Sequence, residues 1–448
     1  MNVPIGFYAD DFTGASANLL EFHRRGLGGL LFVDTPAPER LAPHLDRLDV
    51  VGIAGISRSL APRDMTREVR PALERLRDLG CRVVQYKICS TFDSSPQRGS
   101  FGPVLEVARD LFGAQPVPVV AAHPDFGRYT AFGHHFAEYK SEVHRLDRHP
   151  SMSRHPATPM READLRRHLA EQTDWPIRLC DFRVLRGDAR GLDGMLRGDV
   201  AGAVVCDALE PDDLVRIAAS VWRASGERPT FAVSAHGLSA GLATHMAAGR
   251  EAPPQANGGP PGAVDSLLVL SGSCTPRTAE QIAHARAEGW AVVRLPIEQL
   301  PQRGEAAVID AMSAEVGAAA SQGRNIVVYT AAGPDDDGIP AGKDLFERIG
   351  RESSAVIGGI YGAVLRRVTS RTRIARFLLA GGDTASRTMR ALGVEALSIV
   401  AVNVESQEPL LRIHAGESRL DGAQVLLKAG QNGGPDYFSA ARRGDGWA

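Results

Sequence analysis

Residues 266–296 read SLLVLSGSCTPRTAEQIAHARAEGWAVVRLP, and this stretch carries the plan of the fold. An apolar run of strand length, SLLVL, gives way to the small residues Ser271-Gly272-Ser273-Cys274. Thr275 then reads as a helix N-cap and Pro276 as the first helical residue, where its fixed φ and missing N–H do no harm. The helical pattern stops before Gly289, and the β-branched run AVVRLP follows. Strand, helix, strand in this order argues for parallel pairing, since parallel neighbours need such a crossover.

The same alternation extends over almost the whole chain. Further strands are expected near Ile5, Leu30, Val51, Arg82, Val117, Gly202, Thr230, Asn325 and Arg376. Helix-like stretches include Pro62–Leu79, Arg161–Gln172 and Asp212–Arg223. The pattern predicts α/β architecture, with mainly parallel sheets flanked by helices. One segment breaks it: residues 249–264, GREAPPQANGGPPGAV, hold too few large apolar side chains to bury a core. It is read as a linker between domains at 1–248 and 265–448. The polar tail after Phe438 is expected to be loosely held.

Composition narrows the function. The 448 residues carry 51 Lys+Arg against 53 Asp+Glu, a formal net charge of -2, which speaks against a broad nucleic-acid surface. No apolar run approaches the ~18 residues of a membrane span, and Asp10 and Asp11 interrupt the first apolar stretch before it could act as a signal peptide. Five scattered cysteines without a C-x-x-C pair fit a reducing, cytoplasmic setting. No histidine pair has helical i, i+4 spacing, so histidine ligation of a metal is not expected.

Four turns at strand ends could carry chemistry, since ligands of parallel sheets bind at the carboxyl edge. Tyr8-Ala9-Asp10-Asp11-Phe12-Thr13-Gly14 offers two acids before a helix expected to begin near Ala15; structurally, one could cap the helix and the other be solvated. Lys87-Ile88-Cys89-Ser90-Thr91-Phe92-Asp93-Ser94-Ser95 combines a cation with hydroxyls suited to a polyhydroxy anion, although such clusters also make turns. Ser271-Gly272-Ser273 before a helix N-terminus suits phosphate. Gly381-Gly382-Asp383-Thr384 lets the backbone approach a ligand, with Thr384 free to cap the helix or bond phosphate. A fifth segment, Lys428 to Gly434, follows the final strand and could wall the same cleft. Gly338 to Lys343 only approximates a Walker loop, its spacing one residue short. Gly237-Leu238-Ser239-Ala240-Gly241 fits G-x-S-x-G, or else serves tight packing.

Together these segments resemble the four-carbon acid sugar kinase family. The resemblance rests on A-D-D-x-T-G-A at Ala9–Ala15, K-x-x-S-T at Lys87, Ser90 and Thr91, and H-P-x-T-P-M at His155–Met160. It continues through G-S-C-[ST]-x-x-T at Gly272–Thr278, G-G-[DE]-T at Gly381–Thr384 and K-x-G at Lys428–Gly430. It implies an N-terminal domain that binds a sugar acid, a C-terminal domain that binds ATP with Mg2+, and transfer across the cleft between them. Asp10 or Asp11 would take the hydroxyl proton, with Thr13, Lys87, Ser90, Thr91 and Asp93 near the acid. Ser271, Ser273, Gly381, Gly382, Asp383, Thr384 and Gly430 would hold the nucleotide. The chain departs from K-x-D-S-T-x-R-G in having Cys89 for the Asp and Asp93 for the Arg, so Arg58 is the candidate carboxylate clamp. The K-x-C-S-T-F-D-S-S form is similar to a branch associated with oxidised or branched acids such as 3-oxo-isoapionate. Small-molecule partners follow, with neither nucleic acid nor membrane, and a homo-oligomer is compatible with all of this. The rival readings are a serine hydrolase using Ser239, with His284 or His414 as its base, and a non-catalytic nucleotide-responsive binding protein.

Overall fold

The computed structural model describes residues 3–155, 157–187, 190–226, 228–250 and 261–447. Most of the expected linker, 251–260, and Pro156 of the His155–Met160 phrase lie outside the described residues. The chain divides into two compact units, residues 1–253 and 254–448.

The first unit holds an eight-stranded, all-parallel sheet. Across it the strands run Gly29–Phe32, Val50–Ala54, Ile5–Ala9, Val83–Lys87, Thr230–Ser234, Pro116–Val120, Gly202–Cys206 and Ile177–Cys180. The central strands are buried along their whole length, which is why they read as unbroken apolar runs. Helix Phe12–His23 packs against His236–Ala247, and Pro62–Asp78 against Phe101–Phe112. A separate antiparallel sheet, Arg128–Ala131, His134–Tyr139 and Glu142–Arg145, was not expected from the sequence.

The second unit has five parallel strands, in the order Ala291–Arg294, Ile326–Tyr329, Leu268–Ser271, Arg376–Ala380 and Gln424–Lys428. Pro409–His414 and then Ala396–Val402 extend it antiparallel. Helix Ser353–Thr369 packs against both Gly382–Leu392 and Leu300–Ser321. Both units are thus α/β with a mainly parallel sheet. Among the described residues no helix is long and apolar enough to cross a membrane.

Three local expectations need correction. The first helix begins at Phe12, not Ala15, because Asp11 caps it by accepting the Gly14 N–H. The stretch Arg161–Gln172 forms a helix only over Leu165–Ala170, started by the Asp164 cap. The tail is not loose: Tyr437, Phe438, Ala441 and Trp447 belong to the core of the second unit, and Arg376 donates to the Ala441 carbonyl.

Candidate active site

In the first unit, Ala9 lies in register with Ala54 on one side and Lys87 on the other, so the segments leaving these three strands converge. The Arg58 guanidinium lies across both acids. Its Nε and Nη2 donate to Asp10 at 3.0 and 2.8 Å, and its Nη1 and Nη2 to Asp11 at 2.9 Å each. Arg58 is therefore occupied by carboxylates of the protein. Neither acid is simply solvated: the Asp10 side chain is 1% exposed and that of Asp11 15%. Burial pushes the Asp10 carboxyl above its usual range, with Arg58 pulling the other way. For Arg58, burial opposes the charge, and the two carboxylates more than offset it.

Lys87 is buried, and a Cβ on Gly14 would meet its Nζ and the Asp11 Oδ1 at 2.2 Å each. Gly14 is what lets the helix start close over this charged cluster. Thr13 Oγ1, on the neighbouring residue, is buried without a hydrogen-bond partner.

The loop after Lys87 is held in an unusual conformation. Phe92 has φ 57°, and its buried ring packs edge-on against Phe101 and His168. Such a left-handed residue persists only where packing enforces it. Thr91 Oγ1 donates to Asp93 Oδ1 at 2.7 Å, with Cys89 Sγ at 3.0 Å from the same hydroxyl. Burial, then Asp93, pushes the Cys89 thiol up to about 11, so it is no nucleophile near neutrality. The Ser90 carbonyl accepts from His135 Nε2 at 2.7 Å.

The second unit is built from backbone. Strands Leu268–Ser271, Arg376–Ala380 and Gln424–Lys428 are adjacent, which brings the three glycine-bearing turns together. A Cβ on Gly272 would meet Thr384 Oγ1 at 2.3 Å, and Gly381 has φ 107°. The Gly430 carbonyl accepts from Thr275 Oγ1 at 2.6 Å and from Lys428 Nζ at 3.3 Å. Burial pushes Lys428 down to about 8, against the pull of Glu408.

Beside these turns lies a cavity of about 650 Å3, lined by Gly272, Cys274 and Gly381–Thr384. Its other wall sets the apolar Ile297, Ile339, Phe346 and Ile357 beside Lys343, Glu347 and Arg351, with Ser354 Oγ buried without a partner. The sequence reading missed this wall, since helices Gly338–Ile349 and Ser353–Thr369 carry no motif. The Walker-like stretch is simply the start of the first of these helices. Ser271 and Ser273 do not line the cavity. The Ser271 carbonyl accepts from Tyr361, and Ser273 Oγ bonds Thr278 Oγ1 at 2.9 Å. Thr384 does not cap its helix; Gly381 occupies that place.

Ser239 is not placed as an exposed nucleophile. Ser239 is fully buried inside helix His236–Ala247, and its hydroxyl contacts Asn18 and Gln85 at 2.8 Å each. A Cβ on Gly237 would strike the Ala122 carbonyl oxygen and one on Gly241 that of Leu214, at 2.1 and 2.3 Å. These glycines permit close packing.

Comparison with known proteins agrees with this division. A model described as a sugar-binding N-terminal domain matches residues 5–242, and one described as a nucleotide-binding C-terminal domain matches 268–438. A Paraburkholderia graminis protein named 3-oxo-isoapionate kinase is 36% identical over 98% of this chain and 94% of its own. A Pseudomonas fluorescens protein named 3-oxo-tetronate kinase is 30% identical over 98% and 96%. Solved structures from Salmonella typhimurium LT2 and Haemophilus influenzae share the fold, with TM-scores of 0.73 and 0.70 at 24% and 23% identity over 98% of this chain and 98% and 99% of theirs. This chain belongs to the four-carbon acid sugar kinase family.

Proposed function

We propose that the protein is an ATP-dependent kinase that phosphorylates a hydroxyl of a small oxidised or branched sugar acid, of the 3-oxo-isoapionate or 3-oxo-tetronate kind. The observation that carries this reading is the Asp10–Arg58–Asp11 cluster beside Lys87 at the carboxyl edge of the first sheet. The residues of the second unit fit a nucleotide: close-packed glycine turns face the phosphates, and the apolar wall with Ser354 faces the base. ATP supplies the phosphoryl group, and Mg2+ offsets the charge on its phosphates.

Asp11 is the better-placed base, because it is the more open of the two acids. It takes the acceptor proton, while Asp10 fixes Arg58 and so the Asp11 carboxylate. Lys87 neutralises negative charge on the acid or the transferring group. Thr13 Oγ1 offers the acid a free hydroxyl. Ser90, Thr91 and Asp93 shape the acid site, with Asp93 accepting from a hydroxyl or hydrated carbonyl where relatives have an Arg. An ADP-release screen across tetronates, 3-oxo-tetronates and branched pentonates tests the reading. Turnover is expected with an oxo or branched acid, and its absence with all three classes would overturn it.

A further inference from the structure

Two histidines and a glutamate far apart in the chain meet in the first unit. His123 follows strand Pro116–Val120 and His236 follows the neighbouring parallel strand Thr230–Ser234, so both rings emerge at one carboxyl edge. Glu21 reaches them from the last turn of helix Phe12–His23, which packs on helix His236–Ala247. One ligand atom from each residue lies within 4.8 Å of the others. All three are buried, with His123 at 1%, Glu21 at 3% and His236 at 9% exposure. Both nitrogens of His123 and Nδ1 of His236 lack any hydrogen-bond partner. A buried polar atom left without a partner is costly, so three side by side point to a missing occupant.

We propose that Glu21, His123 and His236 bind a divalent first-row transition-metal ion of the zinc class. Two imidazoles and one carboxylate suit such an ion, whereas Mg2+ prefers an all-oxygen shell, so this site is distinct from any ion on the ATP phosphates. Arg24 and Arg25 hold the Glu21 carboxylate at 3.3 and 3.5 Å, the kind of outer partner that orients a ligating side chain. Phe126 closes one side, its ring centroid 4.5 Å from that of His123 and 4.9 Å from that of His236.

Charge decides what completes the shell. Lys87, Arg128, Arg24 and Arg25 all act on the rings, and only the last two are paired with Glu21. Three protein ligands leave a tetrahedral ion one open position. In these cationic surroundings that position takes an anionic oxygen, from hydroxide or from an acid.

The test uses the full chain, stripped with a chelator and titrated with Co2+ and then Zn2+. Wild type is expected to take up one equivalent, with the visible bands of a tetrahedral nitrogen–oxygen site and no thiolate charge-transfer band. The last point separates this site from the exposed Cys274. His236→Gln and Glu21→Gln should each weaken uptake about tenfold or more while keeping the circular dichroism of wild type. If one variant fails to fold, the other carries the comparison. No uptake by wild type, a thiolate band, or unchanged uptake in a folded variant overturns the proposal. Because metal uptake is the readout, the result stands whatever the chain phosphorylates.

Discussion

The two candidate sites solve opposite problems with opposite materials. The candidate acid site of the first unit is a cluster of charged side chains, in which Arg58 bridges Asp10 and Asp11 and Lys87 lies beside them. The turns of the second unit hold backbone and glycine, and their main requirement is that no Cβ intrude at Gly272 or Gly381. Charge placed by side chains suits proton transfer and selection of an acid; bare backbone suits phosphates, which need many weak donors at close range. Removing a charge without changing shape should therefore injure the first site, and adding volume without changing charge should injure the second.

The largest effect is expected at Asp11. Asp11→Asn keeps the volume and removes the proposed base, so kcat should fall on the order of 10²–10⁴-fold with ATP affinity unchanged. Steady-state kinetics with an independent ATP titration checks this, and a loss confined to ATP binding would collapse the contrast between the sites. Next comes Gly381→Val, which forces a branched residue into φ 107°. Such strain costs on the order of 1–3 kcal/mol, so ATP affinity should drop about tenfold or more, while acid binding measured without ATP stays as in wild type.

Asp93 sharpens the comparison within the first site. Asp93→Arg removes the acceptor of the Thr91 hydroxyl and places a cation where the K-x-D-S-T-x-R-G pattern has its Arg. kcat/KM should fall for an oxo or branched acid and rise for plain threonate or erythronate; the same ranking in both proteins would exclude Asp93 as a selector.

The sites should also differ in pH response. Asp10 has a raised pKa, so on acidification it takes up a proton, and lets go of Arg58, at a pH above that of an ordinary carboxylate. Lys428, lowered to about 8, loses its charge as pH rises through that value and loosens its hold on the Gly430 carbonyl. The acid limb of the profile should thus appear in kcat and the alkaline limb in KM for ATP. Lys428→Met should remove the alkaline limb and leave the acid one in place. The smallest effect belongs to Ser239→Ala, which leaves Asn18 and Gln85 short of a buried donor. Thermal unfolding should shift by about 2–4 °C per kcal/mol lost, with activity per folded molecule unchanged.

How legible each region was in the sequence follows from the same contrast. The buried parallel strands, such as Ile5–Ala9 and Val83–Lys87, announce themselves as apolar runs, and the turns that follow them stand out by residue type. The strand Ile177–Cys180 does not, because it is only partly buried and carries Arg178. Nor does His134–Tyr139, whose polar and aromatic mixture resembles a loop. Arg58 reads in the sequence as a clamp for the acid's carboxylate, and its pairing with Asp10 and Asp11 instead is a tertiary fact. The apolar wall at Ile339, Phe346 and Ile357 lay hidden because ordinary helical periodicity produces it. Glu21, His123 and His236 meet only after three distant segments fold.

Phosphoryl transfer to a sugar acid is tested by the identity of its products. Incubate the wild-type chain with ATP–Mg2+ and freshly prepared 3-oxo-isoapionate, then follow ADP, inorganic phosphate and the mass of the acid. The account predicts ADP and phosphorylated acid in equal amounts, with little free phosphate. ADP accompanied by free phosphate alone, or an acid left unmodified while ATP is consumed, would contradict it.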